Sequence, residues 1–274
     1  MTTKTKNDIF KSDYILPSNK SESERLEAQA ILYGGVDFLE AAIAARPTAI
    51  LDVGCGTGYF SRHMARSLPG SEVVGMDQEG SRLAMAQRLG NDLSNLSYCP
   101  GNIASMPFEA NRFDLVFCRF VLVHTQDISG DLAEMIRVTN PGGRVLAYDM
   151  VHNCIWFSPE KKAFNLLLNT VLSKMREMGM EPNQGLHLGT SMMRAGLTEV
   201  KSEAVVHHCF ATDPIYEVYR DNWIKTIEGF NEILGSKFDR SAVDQAIGEL
   251  NDDRPEQGLF EMTVLCSGKK GDGL

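Results

Sequence analysis

Between residues 35 and 150, short apolar runs bounded by glycine, proline and polar residues alternate with stretches whose apolar positions recur near every 3.6 residues. The runs at 48–53, 72–77, 96–99, 113–118 and 144–149 read as strands, and those at 59–68, 81–89 and 131–138 as helices. Strands alternating with helices imply βαβ units, a mostly parallel twisted sheet and helices on both of its faces. Pro69-Gly70 ends one helix, and Asn140-Pro141-Gly142-Gly143 turns the chain into the fifth strand. After residue 150 the pattern changes. Ser158-Pro159-Glu160 predicts an N-cap followed by proline at the first helical position, opening a helix to about Met178. A strand follows at 199–210, Asp213-Pro214 opens a helical region over 214–250, and a last strand runs over 259–266 before a polar tail.

The chain has 274 residues, 43% of them hydrophobic and 23% charged, which is enough for a sizeable core and excludes a disordered chain. The formal charge is −9, and the lysine pairs Lys161-Lys162 and Lys269-Lys270 stand isolated. An acidic surface without a basic cluster repels phosphate backbones, so nucleic acid is not an expected partner. No run approaches the length that spans a bilayer, and the start of the chain lacks the apolar stretch of a secretory signal. Six cysteines at wide spacing, without a CxxC pair, read as free thiols in a reducing cytoplasm. No Cys/His set has zinc spacing, so no metal is expected.

LDVGCGTGYF, residues 51–60, carries the most chemistry. An apolar strand ends at Val53, and Gly54, Gly56 and Gly58 precede a helix. Glycines let the chain turn sharply and let a ligand lie on the backbone, while the helix start offers unpaired N–H groups. The dinucleotide fingerprint GxGxxG is not met, because the third glycine comes one position early and Tyr59 fills the place that should be small. No GK[ST] follows either, so the loop suits a nucleoside ligand without phosphates. Asp77, ending the next strand, stands where a carboxylate accepts ribose hydroxyl protons, about 20 positions past such a loop.

LDVGCGTG, Asp77, GNIASMPFEANRFDLVFCRFVLVH and NPGGRVLAYD, in that order over residues 48–150, resemble a class I S-adenosylmethionine-dependent methyltransferase of the small-molecule, quinone or natural-product type. The resemblance implies an α/β fold with a doubly wound, mostly parallel seven-stranded sheet, Rossmann-like, and S-adenosylmethionine as cofactor. It divides the chain into an N-terminal arm and lid helix (1–34), the cofactor-binding core (35–210), a helical lid insertion (211–258) and the last core strand with its tail (259–274). Asp52 and the loop Gly54, Cys55, Gly56 and Gly58 would hold the methionine end, and Asp77 with Gln78 the ribose. Asn102 and Ile103 would lie beside the adenine and Arg119 beside the sulfonium. Asn102 stands where the family usually has aspartate, and its amide still offers an acceptor for the adenine amino group.

Methyl transfer from a sulfonium needs alignment and exclusion of water, and a base only if the acceptor must lose a proton. His124 after the fourth strand and His152 after the fifth are the candidate bases. The adjacent His207 and His208 lie on one predicted strand and point to opposite faces. Tyr14 and Tyr33 of the arm, Trp156, and Tyr219 and Trp223 of the insertion are candidate walls of the acceptor site. Tyr216, Tyr219, Trp223 and Phe230 share one helical face. An aromatic cleft points to a small organic acceptor, and a homodimer stays open. A protein or RNA methyltransferase and a noncatalytic cofactor-binding regulator are the other function classes.

Overall fold

The computed structural model describes residues 22–33, 42–44, 46–229, 239–252 and 254–272; Tyr14 and Phe230 lie outside them. After helix α1 (Glu22–Tyr33), strand β1 (Ala49–Val53), helix α2 (Tyr59–Ser67), β2 (Glu72–Asp77), α3 (Gly80–Leu89), β3 (Leu96–Pro100) and β4 (Phe113–Arg119) alternate as the pattern predicts. α4 (Ile128–Val138) and β5 (Thr139–Met150) complete the parallel part, in which β2 pairs with β3 and β1, β1 with β4, and β4 with β5. The inner strands are nearly continuous apolar runs because helices cover both faces.

The second half comprises β6 (Trp156–Ser158), α5 (Lys162–Glu177), α6 (Gln184–Arg194), β7 (Thr198–Phe210), α7 (Pro214–Glu228), α8 (Arg240–Leu250) and β8 (Gly258–Lys269). β8 runs antiparallel to β5, β6 and β7. The sheet therefore has eight strands among the described residues rather than the expected seven; the short β6 is the addition. A second correction concerns α5. Ser158 does not cap it, because Ser158 pairs with Gly258 in the sheet. The helix starts at Lys162, and its first free N–H groups, on Ala163 and Phe164, donate to the Glu249 carboxylate of α8 at 2.8 and 3.1 Å.

Side chains alternate across each strand, so the sheet has two cores. Ile50, Phe117, Leu146, Tyr148 and Leu265 face α1, α2, α5, α7 and α8. Leu51, Val53, Val116, Cys118, Ala147 and Cys266 face α4 and α6. The first core lies under the two segments expected to act as lids, and it carries the polar groups described below. No helix among the described residues is long and apolar enough to cross a membrane.

Candidate active site

The carboxyl ends of β1, β2, β4 and β5 meet at one edge of the sheet. There Gly54, Gly56 and Gly58 adopt φ of 68°, 56° and 78°, the left-handed region that side chains resist. A β-carbon on Gly54 would collide with Val121, and one on Gly58 with the Tyr98 ring, so packing as well as dihedral demands glycine. Buried Asp77 links the loop to the turn after β2: its carboxylate accepts from Gly56 N at 2.8 Å and from Glu79 N at 2.9 Å. A carboxylate has about four acceptor positions, so two remain for further donors. Gln78 accepts from Asn102 Nδ2 at 3.1 Å, and Asn102 Oδ1 accepts from Ala104 N, which leaves the exposed Asn102 closing a turn on the rim. Ile103, half-buried, packs against the second core.

Asp52 is buried at the end of β1, where Ser61 Oγ donates to it at 2.6 Å. Burial pushes its carboxyl up to about 7, against the opposing pull of the Ser61 hydrogen bond and of Arg119. The Arg119 guanidinium carbon lies 4.7 Å from the Phe60 ring centre and 4.6 Å from that of Phe120. Among the described residues its buried Nη1 has no hydrogen-bond partner. A cation with an unmatched donor, next to a carboxylate and a left-handed glycine loop, is a place for a bound anionic group. Asp149 is pushed up to about 7 by burial and accepts from Val123 N at 3.0 Å, fixing the 3₁₀ turn Leu122–His124 against β5.

α1 lies over the loop. Glu27 accepts from Thr57 Oγ1 at 2.5 Å and from Arg62 Nη2 at 2.6 Å, so one carboxylate ties the helix to the loop and to α2. Arg25 of the same helix donates to Asn222 of α7 at 3.2 Å. Replacing Glu27 with alanine is expected to weaken binding of a nucleoside ligand at this loop about tenfold, the scale of a partly buried charged hydrogen bond. Calorimetry reads this, and unchanged affinity would remove α1 from cofactor retention.

Tyr33, Tyr219 and Trp223 come together under α1 and α7; Tyr33 and Tyr219 meet edge to face with centres 5.6 Å apart. Trp156 does not join them. It pairs with Phe260 in the sheet, is 58% exposed and stacks on that ring at 5.3 Å, on the opposite face. Period-two alternation places its neighbour Phe157 in the first core and so turns Trp156 outward. Residues that the sequence reading missed complete this buried cluster. Tyr219 and His207 Nδ1 are 3.0 Å apart, His207 Nε2 lies 3.0 Å from Thr263 Oγ1, and Thr263 donates to Tyr148 OH at 2.6 Å. Buried Glu261 accepts from Trp223 Nε1 at 3.0 Å. The available signal was phase: Glu261 and Thr263 share an inward phase with Leu259 and Leu265, where an ordinary core strand would be apolar.

His152 Nδ1 lies 2.5 Å from the Pro182 carbonyl, which accepts only, so Nδ1 carries the proton and Nε2 keeps its lone pair. Burial lowers the His152 pKa. Close surroundings, then the charge of His152, hold His124 down at about 4, although it keeps solvent contact. His207 faces Tyr148 and Tyr219 and is buried, while His208 points outward and is exposed. Among the described residues no cluster of metal-ligating groups forms.

A family model described as a methyltransferase domain matches residues 51–147. An uncharacterized methyltransferase of Schizosaccharomyces pombe is 30% identical over 209 residues, 72% of this chain and 73% of that one. A demethylmenaquinone methyltransferase of Lactococcus lactis is 33% identical over 127 residues, and a malonyl-[acyl-carrier protein] O-methyltransferase of Erwinia billingiae 38% identical over 97. Of these two relatives the chain spans only 50% and 37% of the length. Among solved structures, phosphoethanolamine N-methyltransferase 2 of Haemonchus contortus, in complex with phosphomonomethylethanolamine and S-adenosylhomocysteine, superposes with a TM-score of 0.56 at 20% identity, covering 99% of this chain and 59% of that one. The YcgJ protein of Bacillus subtilis gives 0.56 at 18% identity, covering 87% and 100%. These two show the likeness of fold. The sequence match across most of the Schizosaccharomyces pombe protein, on the sheet and glycine edge described above, makes this chain a class I S-adenosylmethionine-dependent methyltransferase.

Proposed function

We propose that the chain methylates a small organic acceptor, a secondary metabolite or quinone-like compound of the cytoplasm, by in-line displacement beneath α1 and α7. The observation that carries the cofactor site is the unmatched Arg119 Nη1 beside Asp52 and the left-handed loop. The methionine end of S-adenosylmethionine is a zwitterion, and these residues fit it: Arg119 would take the carboxylate, Asp52 the ammonium, and the loop Gly54, Cys55, Gly56 and Gly58 the backbone approach. This assigns Arg119 to the carboxylate rather than to the sulfonium, which a guanidinium would repel. Asp77, with Gln78, would accept from the ribose, and Asn102 and Ile103 would border the adenine. When bound, the cofactor supplies a methyl group on a leaving group that needs no further activation. What the chain adds is alignment and a dry chamber, since Tyr33, Tyr148, Tyr219 and Trp223 are all buried.

His152 is the better placed base, with its Nε2 lone pair free of the Pro182 bond. Its lowered pKa keeps it neutral below the ordinary imidazole midpoint near 6.5. The acid limb of kcat/KM should therefore fall below that midpoint, vanish in His152→Ala and persist in His124→Ala. If neither variant alters the profile at any pH, acid–base assistance from these histidines is refuted. The reading as a whole is tested by supplying methyl-labelled cofactor and a metabolite extract. Label should enter a small organic product; label confined to protein or RNA, or none transferred, would overturn it.

A further inference from the structure

Under α1 and α7 lies a buried carboxyl group for which the described residues supply no matching cation. Glu261 is fully buried, its Oε2 accepts from Trp223 Nε1, and among the described residues its Oε1 has no hydrogen bond of full geometry. The side chains that favour its charged form are the hydrogen-bond donors Tyr33 and Trp223, both neutral, and burial opposes them. The other polar groups of the chamber are engaged with one another through the Tyr219–His207–Thr263–Tyr148 chain. A buried carboxyl with only neutral donors is costly, and the arrangement that relieves it is an opposite charge.

The position of Glu261 is that of an acceptor site. Met150 pairs with Thr263 and Val151 N donates to Met262 O, so Glu261 stands just past the end of β5. That is the sheet edge on which Gly54 and Arg119 also lie, where open α/β sheets bind ligands. Its surroundings are aromatic. Tyr33 meets Tyr219 at 5.6 Å and Phe120 at 5.3 Å, and Trp223 meets Phe164 at 5.5 Å. Phe120 in turn contacts Arg119, so the aromatic shell runs continuously from the cofactor edge to Glu261. Ring faces and a carboxylate together form a receptor for a desolvated ammonium.

We propose that this chamber is a subsite for a cationic nitrogen of the acceptor, with Glu261 as counter-charge and Tyr33, Tyr219 and Trp223 as its aromatic walls. The proposal rests on the reading of the chamber as the acceptor site and narrows it to an ammonium-bearing metabolite. A neutral quinone would leave Glu261 unmatched. Because the walls are buried, entry requires α1 and α7 to part.

The test is calorimetric titration of the full chain, saturated with S-adenosylhomocysteine, with choline and with its neutral isostere in which carbon replaces the quaternary nitrogen. Choline should bind about tenfold or more tightly than the isostere, the scale of a desolvated cation–π and charge contact. Glu261→Gln should lose that preference while keeping its affinity for S-adenosylhomocysteine. Equal binding of the two probes, no binding of choline, or an undiminished preference in Glu261→Gln overturns the proposal. If that variant does not fold, the comparison of probes on the unaltered chain decides. Failure of the unaltered chain to bind S-adenosylhomocysteine would instead overturn the methyltransferase reading beneath it.

Discussion

Asp77→Ala is expected to lose S-adenosylhomocysteine affinity by about a hundredfold or more. The substitution removes the acceptor for Gly56 N, which ties the left-handed loop to β2, and for Glu79 N, which shapes the turn into α3. Hydrogen bonds to a charged group are worth about 1.5–3 kcal/mol each, so the loop loses order before any contact with the ribose is counted. Asp77→Asn should fall between the two, since an amide oxygen still accepts but carries no charge. Calorimetry on all three proteins checks the order, and affinity that stays level across them would take Asp77 out of the site.

Arg119→Met is expected to cost about tenfold to a hundredfold in the same affinity, and to make binding depend on pH. Methionine keeps an apolar stem between Phe60 and Phe120, so the loss reports on the guanidinium itself. Arg119 also favours the charged form of Asp52, whose carboxyl burial already pushes up to about 7. Without that cation the Asp52 pKa rises further. A protonated Asp52 cannot match an ammonium, so the variant should bind more weakly at pH 6 than at pH 8.5 and more steeply so than the unaltered chain. Arg119→Lys should rescue only in part, because an ammonium lacks the planar fork that stacks between two rings. A variant whose affinity matches the original at both pH values would refute the assignment.

The parallel half of the fold is legible along the chain because its strands are short, largely apolar runs, and β1, β2 and β3 are closed by glycine, aspartate and proline. Gly54, Gly56, Gly58 and Asp77 are legible for a related reason: backbone geometry, rather than distant packing, demands those residue types. What cannot be read locally depends on partners far away in sequence. The cap of α5 is Glu249, which reaches Ala163 and Phe164 from another helix, so the more obvious Ser158-Pro159 signal misleads. Trp156 invites placement in the cleft as a large aromatic, yet the pairing of β6 with β8 fixes its phase outward. Tyr148, His207, Thr263 and Glu261 sit on three strands, and only the register of β5, β7 and β8 brings them under Tyr33 and Tyr219. The bounds of α6 are not legible, because in a stretch of mixed polarity its buried Leu188 and Met192 form only a narrow stripe.

The most direct measurement is a crystal structure of the chain with S-adenosylhomocysteine bound. The ligand should lie along the carboxyl edge of β1 and β2, with ribose on Asp77, carboxylate on Arg119 and sulfur directed toward the chamber beneath α1 and α7. A ligand seated elsewhere, or a sulfur turned to the face covered by α4 and α6, would contradict the account.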